Sequence, residues 1–345
     1  MAEPSSSSTP ASLPRALVSR LERDAQKNWD KWWKIHETRF FRDRNWTDRE
    51  FGALKGSGAA DGQPKSGGNQ GGEEGEDDDE AAELVQRSLA ASSSASSSSS
   101  APAAPPVLLE VGCGVGNMVW PLLDKMPTLK VHCCDFSDRA IELLKQHPRY
   151  DPSRVHAFVW DITRPEQPYS NDSEDSTPTT LFSLMTSHPF GPPTLVSSVF
   201  CLSAIPPALH LPTLTSLFAL FPATASSRPP PATLLFRDYG RGDLAESRFS
   251  VRKRAWDEPH LLSSEGLPHY RRGDGTMTYF FDEEYLRPLV QQAIAARGEE
   301  GIATWDEELG IVERIGQNRK KGLTLTRKFL QGAWTRRSSQ PMSSE

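Results

Sequence analysis

The residues best placed to do chemistry are three carboxylates and a run of glycines. Glu110 lies within the apolar run Val-Leu-Leu-Glu-Val at 107–111, and Asp135 and Asp161 directly follow two further apolar runs, Leu129 to Cys134 and Val155 to Trp160. Between the first run and the second comes Gly-Cys-Gly-Val-Gly-Asn, with Gly112, Gly114 and Gly116 alternating ahead of Asn117. A strand-to-helix turn can press its backbone N–H groups against a ligand only where side chains are missing. A carboxylate at the end of the next strand is placed to accept hydrogen bonds from ribose hydroxyls. The chemistry on offer is the holding of a nucleotide-like cofactor at the carboxyl edge of a sheet. Any one of these acids would serve equally well as a helix cap; the three together favour a site.

The elements that must position them follow from periodicity. Met118 to Met126 reads as a helix after the glycine turn. A fourth strand is expected over Leu195 to Leu202, a helix over Ala208 to Leu220 and a fifth strand over Thr233 to Phe236. That strand delivers Arg237-Asp238-Tyr239-Gly240 to the same edge. Pro165 to Pro193 reads as a loop. Downstream come a charged turn at Arg271-Arg272-Gly273-Asp274-Gly275, a helix from Asp282 to Arg297, and two antiparallel strands, Ile311 to Ile315 and Leu323 to Leu330. Upstream, Trp29, Trp32, Trp33, His36 and Phe40 recur at helical spacing, so Gln26 to Phe41 is expected to form an amphipathic helix. Its aromatic stripe could dock the helix on the domain, cover the cofactor mouth, or do both. The fold class is α/β: a Rossmann-like, doubly wound, mainly parallel sheet with a C-terminal antiparallel hairpin and an N-terminal aromatic and basic helix.

Of the 345 residues 37% are hydrophobic, and 28 are proline, which leaves part of the chain outside any core. The stretch 52–106 is rich in Gly, Ser and acid. It lacks the apolar surface to offset the entropy of ordering, and is read as a disordered insert with one short helix at Ala81 to Ala90. It carries 3 basic and 9 acidic residues, so the net charge of −6 resides there and the remainder is neutral. Within that remainder Arg15 to Phe51 and Ile311 to Arg337 are basic, which marks either anionic-partner surfaces or solvated faces. The expected organisation is a disordered tail at 1–20, a helical segment at 21–51, the insert at 52–106, the catalytic domain at 107–335 and a second tail at 336–345. Four cysteines without metal-ligand spacing indicate a reduced intracellular protein and no metal site. No apolar run has membrane-spanning length, so no membrane partner is expected. A cytoplasmic location, with a nuclear one beside it, is the expectation, ahead of a mitochondrial one; the Ser-rich start fits a plain tail or a mitochondrial presequence.

The glycine spacing differs from the dinucleotide fingerprint and resembles that of class I S-adenosylmethionine-dependent methyltransferases. A longer resemblance, to the tRNA 3-methylcytidine methyltransferases, covers Asn28 to Phe51, Leu108 to Asn117, Cys133 to Arg139, Trp160 to Thr163, Phe200 to Ile205, Arg237 to Asp243, Arg271 to Phe281 and Asn318 to Gln331. The resemblance implies S-adenosyl-L-methionine as cofactor, with Trp29 and Trp33 flanking it. Gly112, Gly114 and Gly116 would form its turn, Asp135 would take the ribose, Asp161 would lie by the adenine and Val199 would line the pocket. Where the family carries Phe-Tyr this chain has Trp32-Trp33, so a phenol hydroxyl is missing while ring stacking remains.

The implied reaction is methylation of N3 of cytidine at position 32 in the anticodon loop of tRNA-Ser or tRNA-Thr, with the tRNA as partner and seryl-tRNA synthetase or another helper beside it. Lys34, Arg39, Arg42, Arg44, Arg237, Arg271, Arg319, Lys320 and Lys321 are the candidate RNA contacts. Asp238 is the candidate to stabilise the developing cation, or else a structural partner of Arg237 or Arg241. The competing readings are a methyltransferase of protein or small molecules, since fold does not fix substrate, and a catalytically silent RNA-binding scaffold. A nicotinamide-dependent oxidoreductase ranks below both.

Overall fold

The computed structural model describes residues 15–38, 106–167, 179–222, 232–251, 261–262, 268–318 and 323–338. The insert up to residue 105, its short helix, residues 1–14 and 339–345 of the two tails, Arg39, Arg42, Arg44, Arg319, Lys320 and Lys321 lie outside the described residues; residues 15–20, expected to be disordered, are helical, and 336–338, likewise, end the last strand.

Apolar five- and six-residue runs build the centre. β1 (Val107–Val111), β2 (Lys130–Asp135), β3 (Val155–Val159) and, further on, β6 (Leu195–Val199) and β7 (Ala232–Tyr239) pair in parallel. Nearly every position in β1, β6 and β7 is buried, as expected of strands covered on both faces. β11 (Ala303–Asn318) and β12 (Leu323–Ser338) complete seven strands in the order β11-β12-β7-β6-β1-β2-β3, with β12 antiparallel to both neighbours. This is the doubly wound sheet with an antiparallel hairpin that the sequence predicts.

The chain begins with α1 (Arg15–Arg23) and α2 (Ala25–His36). α3 (Val119–Lys125) and α4 (Asp138–Lys145) pack with Leu108, Val131 and Cys133 on one face of the sheet. The other face meets α6 (His210–Ala219) and α8 (Glu283–Ala295) through Leu109, Val111, Val196, Phe236 and Trp334. Between β3 and α6 lie the short pair β4 (Glu166–Gln167) and β5 (Thr179–Thr180), and α5 (Leu181–Ser187). After β7 come α7 (Leu244–Val251), β8 (Leu261–Leu262), β9 (Pro268–Arg271) and β10 (Met277–Thr278), the last three forming a small antiparallel sheet.

Several boundaries differ from expectation. The N-terminal helix stops at His36, where Glu37 turns to φ 50°. The stretch expected to be loop holds α5, because the Thr180 hydroxyl accepts from Ser183 N–H and Leu181, Leu184 and Met185 bury one helical face. The fourth strand stops at Val199, since Phe200 adopts φ 54° and a short 3-10 turn, Leu202–Ala204, follows. The fifth strand runs on through Tyr239, because β12 supplies a pairing partner as far as Phe329. Both hairpin strands reach 16 residues.

His210 fastens α6 to the segment after β6: one ring nitrogen meets the Leu202 and Ile205 carbonyls at 3.1 and 2.9 Å and the other the Tyr285 hydroxyl at 2.9 Å. Carbonyls only accept, so the nitrogen facing them carries the proton and the ring is neutral. Burial lowers its pKa to about 4, against the smaller opposing effect of the two carbonyls. A histidine whose folded pKa lies below its unfolded value contributes stability that is present above about pH 6.5 and is lost as pH falls toward about 4. Compared with a His210→Phe variant, the wild type should therefore lose stability at about 1.4 kcal/mol per pH unit in that window, measured by urea unfolding at several pH values. A constant difference between the two proteins would contradict this.

Candidate cofactor and substrate cavity

At the carboxyl edge of the parallel strands opens a cavity of about 470 Å³. The turn after β1 forms its floor. Gly112, Gly114 and Gly116 all have positive φ, 70°, 53° and 83°, a region that penalises side-chain-bearing residues. Space imposes a second constraint: a Cβ on Gly114 would lie 2.7 Å from the Trp33 indole, and one on Gly112 would lie 2.7 Å from Cys201 Sγ. Gly112 and Gly114 line the cavity, whereas Gly116 lies behind it against Trp120.

Asp135, at the end of β2, is keyed into that turn. One carboxylate oxygen accepts from Gly114 N–H and the other from Ser137 N–H, both at 2.9 Å. Burial raises its pKa to about 6; the backbone donors work against that rise, and the nearby Asp30 charge adds to it. Asp161, just past β3, has one oxygen held by Thr163 through its N–H at 3.0 Å and its hydroxyl at 2.6 Å. It lines the cavity, as do Glu110 and Val199.

The roof is α2. Asp30 accepts from the Ser137 hydroxyl at 2.5 Å and Gln26 donates to the Phe136 carbonyl at 2.8 Å, while Asn28 donates to the Gly275 carbonyl at 3.0 Å. The helix is thus tied on one side to the start of α4 and on the other to the turn between β9 and β10. The aromatic stripe divides: Trp32 packs on Ala140 and Leu143 of α4, and Trp29 and Trp33 face the cavity. The stripe thus both docks the helix on the domain and lines the cavity. Lys34 is on the exposed side of the helix.

The remaining wall comes from residues that sequence reading passed over. Phe200, held in its left-handed conformation by a 2.8 Å bond from its N–H to the Arg237 carbonyl, stands 4.9 Å from the Tyr239 ring. The Arg272 and Arg327 guanidinium groups lie 5.3 and 5.9 Å from that ring. Arg327 is held by the fully buried Asp243 at 3.0 Å. All four residues line the cavity.

The two nearby sequence candidates sit elsewhere. Because β7 extends through Tyr239, Arg237 is a buried strand residue that donates to Gln331 at 2.8 Å and stacks on Phe329. Asp238 is likewise fully buried and outside the lining, accepting from Ser203 N–H at 2.8 Å and Tyr239 N–H at 2.9 Å. Burial raises its pKa to about 6. Arg271 points to solvent, one residue short of Arg272. Cys113, buried, and Cys201, half-buried, line the cavity, with desolvation pushing both thiols up, so neither offers a thiolate nucleophile.

The seat of Trp33 on Gly114 gives a direct test. Gly114→Ala should lower stability by about 2–4 kcal/mol, combining a positive-φ penalty with overpacking. Gly191→Ala, at φ 75° with open space around it, should carry only the first part, about 1–2 kcal/mol. Equal losses in denaturant unfolding would show that the indole does not rest there.

Comparison with known proteins agrees with this geometry. A family model described as "Methyltransferase domain" matches residues 109–193, the span from the glycine turn to β6. The chain is 33% identical over 317 residues to tRNA N(3)-methylcytidine methyltransferase trm141 of Schizosaccharomyces pombe, covering 92% of this chain and 94% of that one. It is 32% identical over 333 residues to tRNA N(3)-cytidine methyltransferase METTL6 of Rattus norvegicus, covering 95% and 86%. With tRNA N(3)-methylcytidine methyltransferase Mettl2 of Drosophila melanogaster it shares 32% identity over 318 residues, covering 90% and 71%. Identity of this order over nearly the whole length, with the cavity built on the matched turn, places the chain in the tRNA N(3)-methylcytidine methyltransferase family.

Proposed function

We propose that the protein transfers the methyl group of S-adenosylmethionine to N3 of a cytidine in tRNA, at position 32 of the anticodon loop of tRNA-Ser or tRNA-Thr. The observation that carries this reading is the division of one cavity into two chemically distinct halves. One half has the Gly112–Gly114 floor, the Asp135 and Asp161 carboxylates and the Trp29 and Trp33 rings. The other has the Phe200 and Tyr239 rings with two guanidinium groups.

The first half fits the cofactor on the structure's own terms: its floor has no room for a Cβ. A carboxylate has about four acceptor sites, and Asp135 engages the backbone N–H groups of Gly114, Ser137 and Phe136, which leaves acceptor capacity for a ribose hydroxyl. The bound cofactor supplies an electrophilic sulfonium methyl. Cytosine N3 carries a lone pair in the neutral base, so the protein has no proton to remove and acts by binding and orienting. In the second half Phe200 and Tyr239 offer stacking faces for a base splayed from its loop, and Arg272 and Arg327 offer donors to its carbonyl oxygen or to the adjoining phosphate. Asp238 acts through others, fixing Ser203 and Tyr239 from behind. Lys34 with the basic residues at 39–44 and 319–321 would hold the anticodon stem by its phosphates. Seryl-tRNA synthetase or a similar helper would add contacts of the same kind.

The test is methyl transfer to tRNA lacking 3-methylcytidine, with the nucleoside product read by mass spectrometry. Product from the wild type, and a loss of about 10²-fold or more with Phe200→Ala or Arg272→Ala at unchanged cofactor affinity, is the expected outcome. Labelling of another nucleoside, or of protein, would refute the reading.

A pH test isolates Asp135. Its ionised form accepts from ribose more strongly and at both oxygens, so cofactor affinity should fall as pH drops below about 6, by at most about tenfold per unit. Asp135→Asn should bind weakly at all pH values without that limb, as followed by equilibrium dialysis.

A further inference from the structure

Behind the cavity, on the two strands whose carboxyl ends deliver Asp135 and Asp161 to it, three histidines come together. His132 lies near the start of β2, His156 near the start of β3, and His188 just after α5. Each offers a ring nitrogen, and these atoms lie within 4.8 Å of one another. His132 is fully buried, while His156 and His188 are half-buried and open to ions from solvent.

Hydrogen-bond chemistry orients the central ring. His132 Nε2 is 3.0 Å from the Gly191 carbonyl, which can only accept, so the proton sits on Nε2 and Nδ1 carries a lone pair. That lone pair faces His156 Nδ1 at 2.9 Å. A ring N–H given to a backbone carbonyl while the other nitrogen points into a cluster of donors is the arrangement that outer-shell partners impose on metal-bound histidines. Nothing in the cofactor cavity or the proposed methyl transfer uses these residues.

We propose that His132, His156 and His188 form a binding site for a borderline-soft divalent transition metal ion such as Zn²⁺, with water completing the coordination. An all-imidazole donor set selects zinc, nickel or copper over magnesium and calcium, which prefer oxygen. Zinc–nitrogen bonds of about 2.0–2.1 Å in a tetrahedron set nitrogens about 3.3 Å apart, so the His132 and His156 nitrogens need separate by only about 0.4 Å. Binding moves the His156 proton to its other nitrogen or to solvent. His188 now stacks on His156, centroids 3.9 Å apart and planes at 7°, and its Nδ1 accepts a 3.2 Å bond from Phe190 N–H. It can keep that bond and ligate through Nε2, or give it up and ligate through Nδ1; either way the ring turns out of the stack. The Lys130 and Lys145 ammonium groups nearby hold the affinity below that of an acidic site. The ion would pin the segment after α5 to β2 and β3, acting as a staple rather than in the reaction.

The test uses the full chain without a polyhistidine tag. Zn²⁺ titrated in competition with a chromophoric chelator should bind at one equivalent, with Mg²⁺ giving no response. His156→Phe and His188→Phe keep an aromatic ring in the stack and spare the buried His132; each should weaken binding at least about tenfold, with cofactor affinity and circular dichroism unchanged. Co²⁺ should give a d–d absorption without a thiolate charge-transfer band. Zinc binding that both variants retain, a thiolate band, or no one-equivalent binding by the wild type would each overturn the site.

Discussion

The cavity depends on one buried carboxylate. Asp135 sits at the end of β2 and reaches forward to Ser137 and sideways to Gly114, so a single side chain sets the glycine turn against the start of α4. Ser137 caps α4 through Ala140 N–H and donates its hydroxyl to Asp30, which brings α2 into the same network. Floor and roof are therefore in register through three consecutive hydrogen bonds. Leaving one of these buried partners unmatched costs about 1–3 kcal/mol, so the network specifies one arrangement as well as stabilising it. The burial that makes these bonds strong also raises the carboxyl's pKa.

The far wall is built by a different means. Phe200 occupies a backbone region unfavourable for an aromatic residue, and such strain persists where surrounding structure over-determines it. Here the determinants are the Arg237 carbonyl that its N–H meets and Asp238, which holds Ser203 three residues further on. Two cations share the wall, one of them matched by the buried Asp243. In the proposed reaction the product base is cationic. The wall then binds the neutral substrate by stacking and donors and repels the product, which favours its release.

How far the sequence disclosed this varies with range. The glycine turn, Asp135, Asp161 and the mainly parallel sheet were legible because each rests on a short local pattern: a run, a turn, an acid. The helix at 181–187 also had a local signature in Thr180, Leu181, Leu184 and Met185, masked by the prolines around it. Arg272 and Arg327 were not legible as cavity residues. Whether Arg271 or Arg272 faces inward depends on where the β9–β10 hairpin turns, and Arg327 is aimed by Asp243, 84 residues earlier. Asp238 was misplaced for a related reason: the length of β7 is set by its partner β12, which pairs with it from nearly a hundred residues downstream. The histidine cluster joins positions 132 and 156, which strand pairing sets side by side, with 188, which the end of α5 brings to them.

The hairpin has a further consequence. β7 ends at Tyr239, paired with Phe329, but β12 begins at Leu323 and β11 runs beside it to Asn318. From Lys328 back to Leu323 the two strands run on past the end of β7 at the cavity's own edge, over about 20 Å at the strand rise. Its ladder is continuous with the bonds that place Tyr239 and Arg327, so it cannot slide along the sheet without breaking them. It is a gauge of fixed length. The distance from the cavity wall to the strand ends at Asn318 and Leu323 is therefore set by backbone hydrogen bonds rather than by side-chain packing.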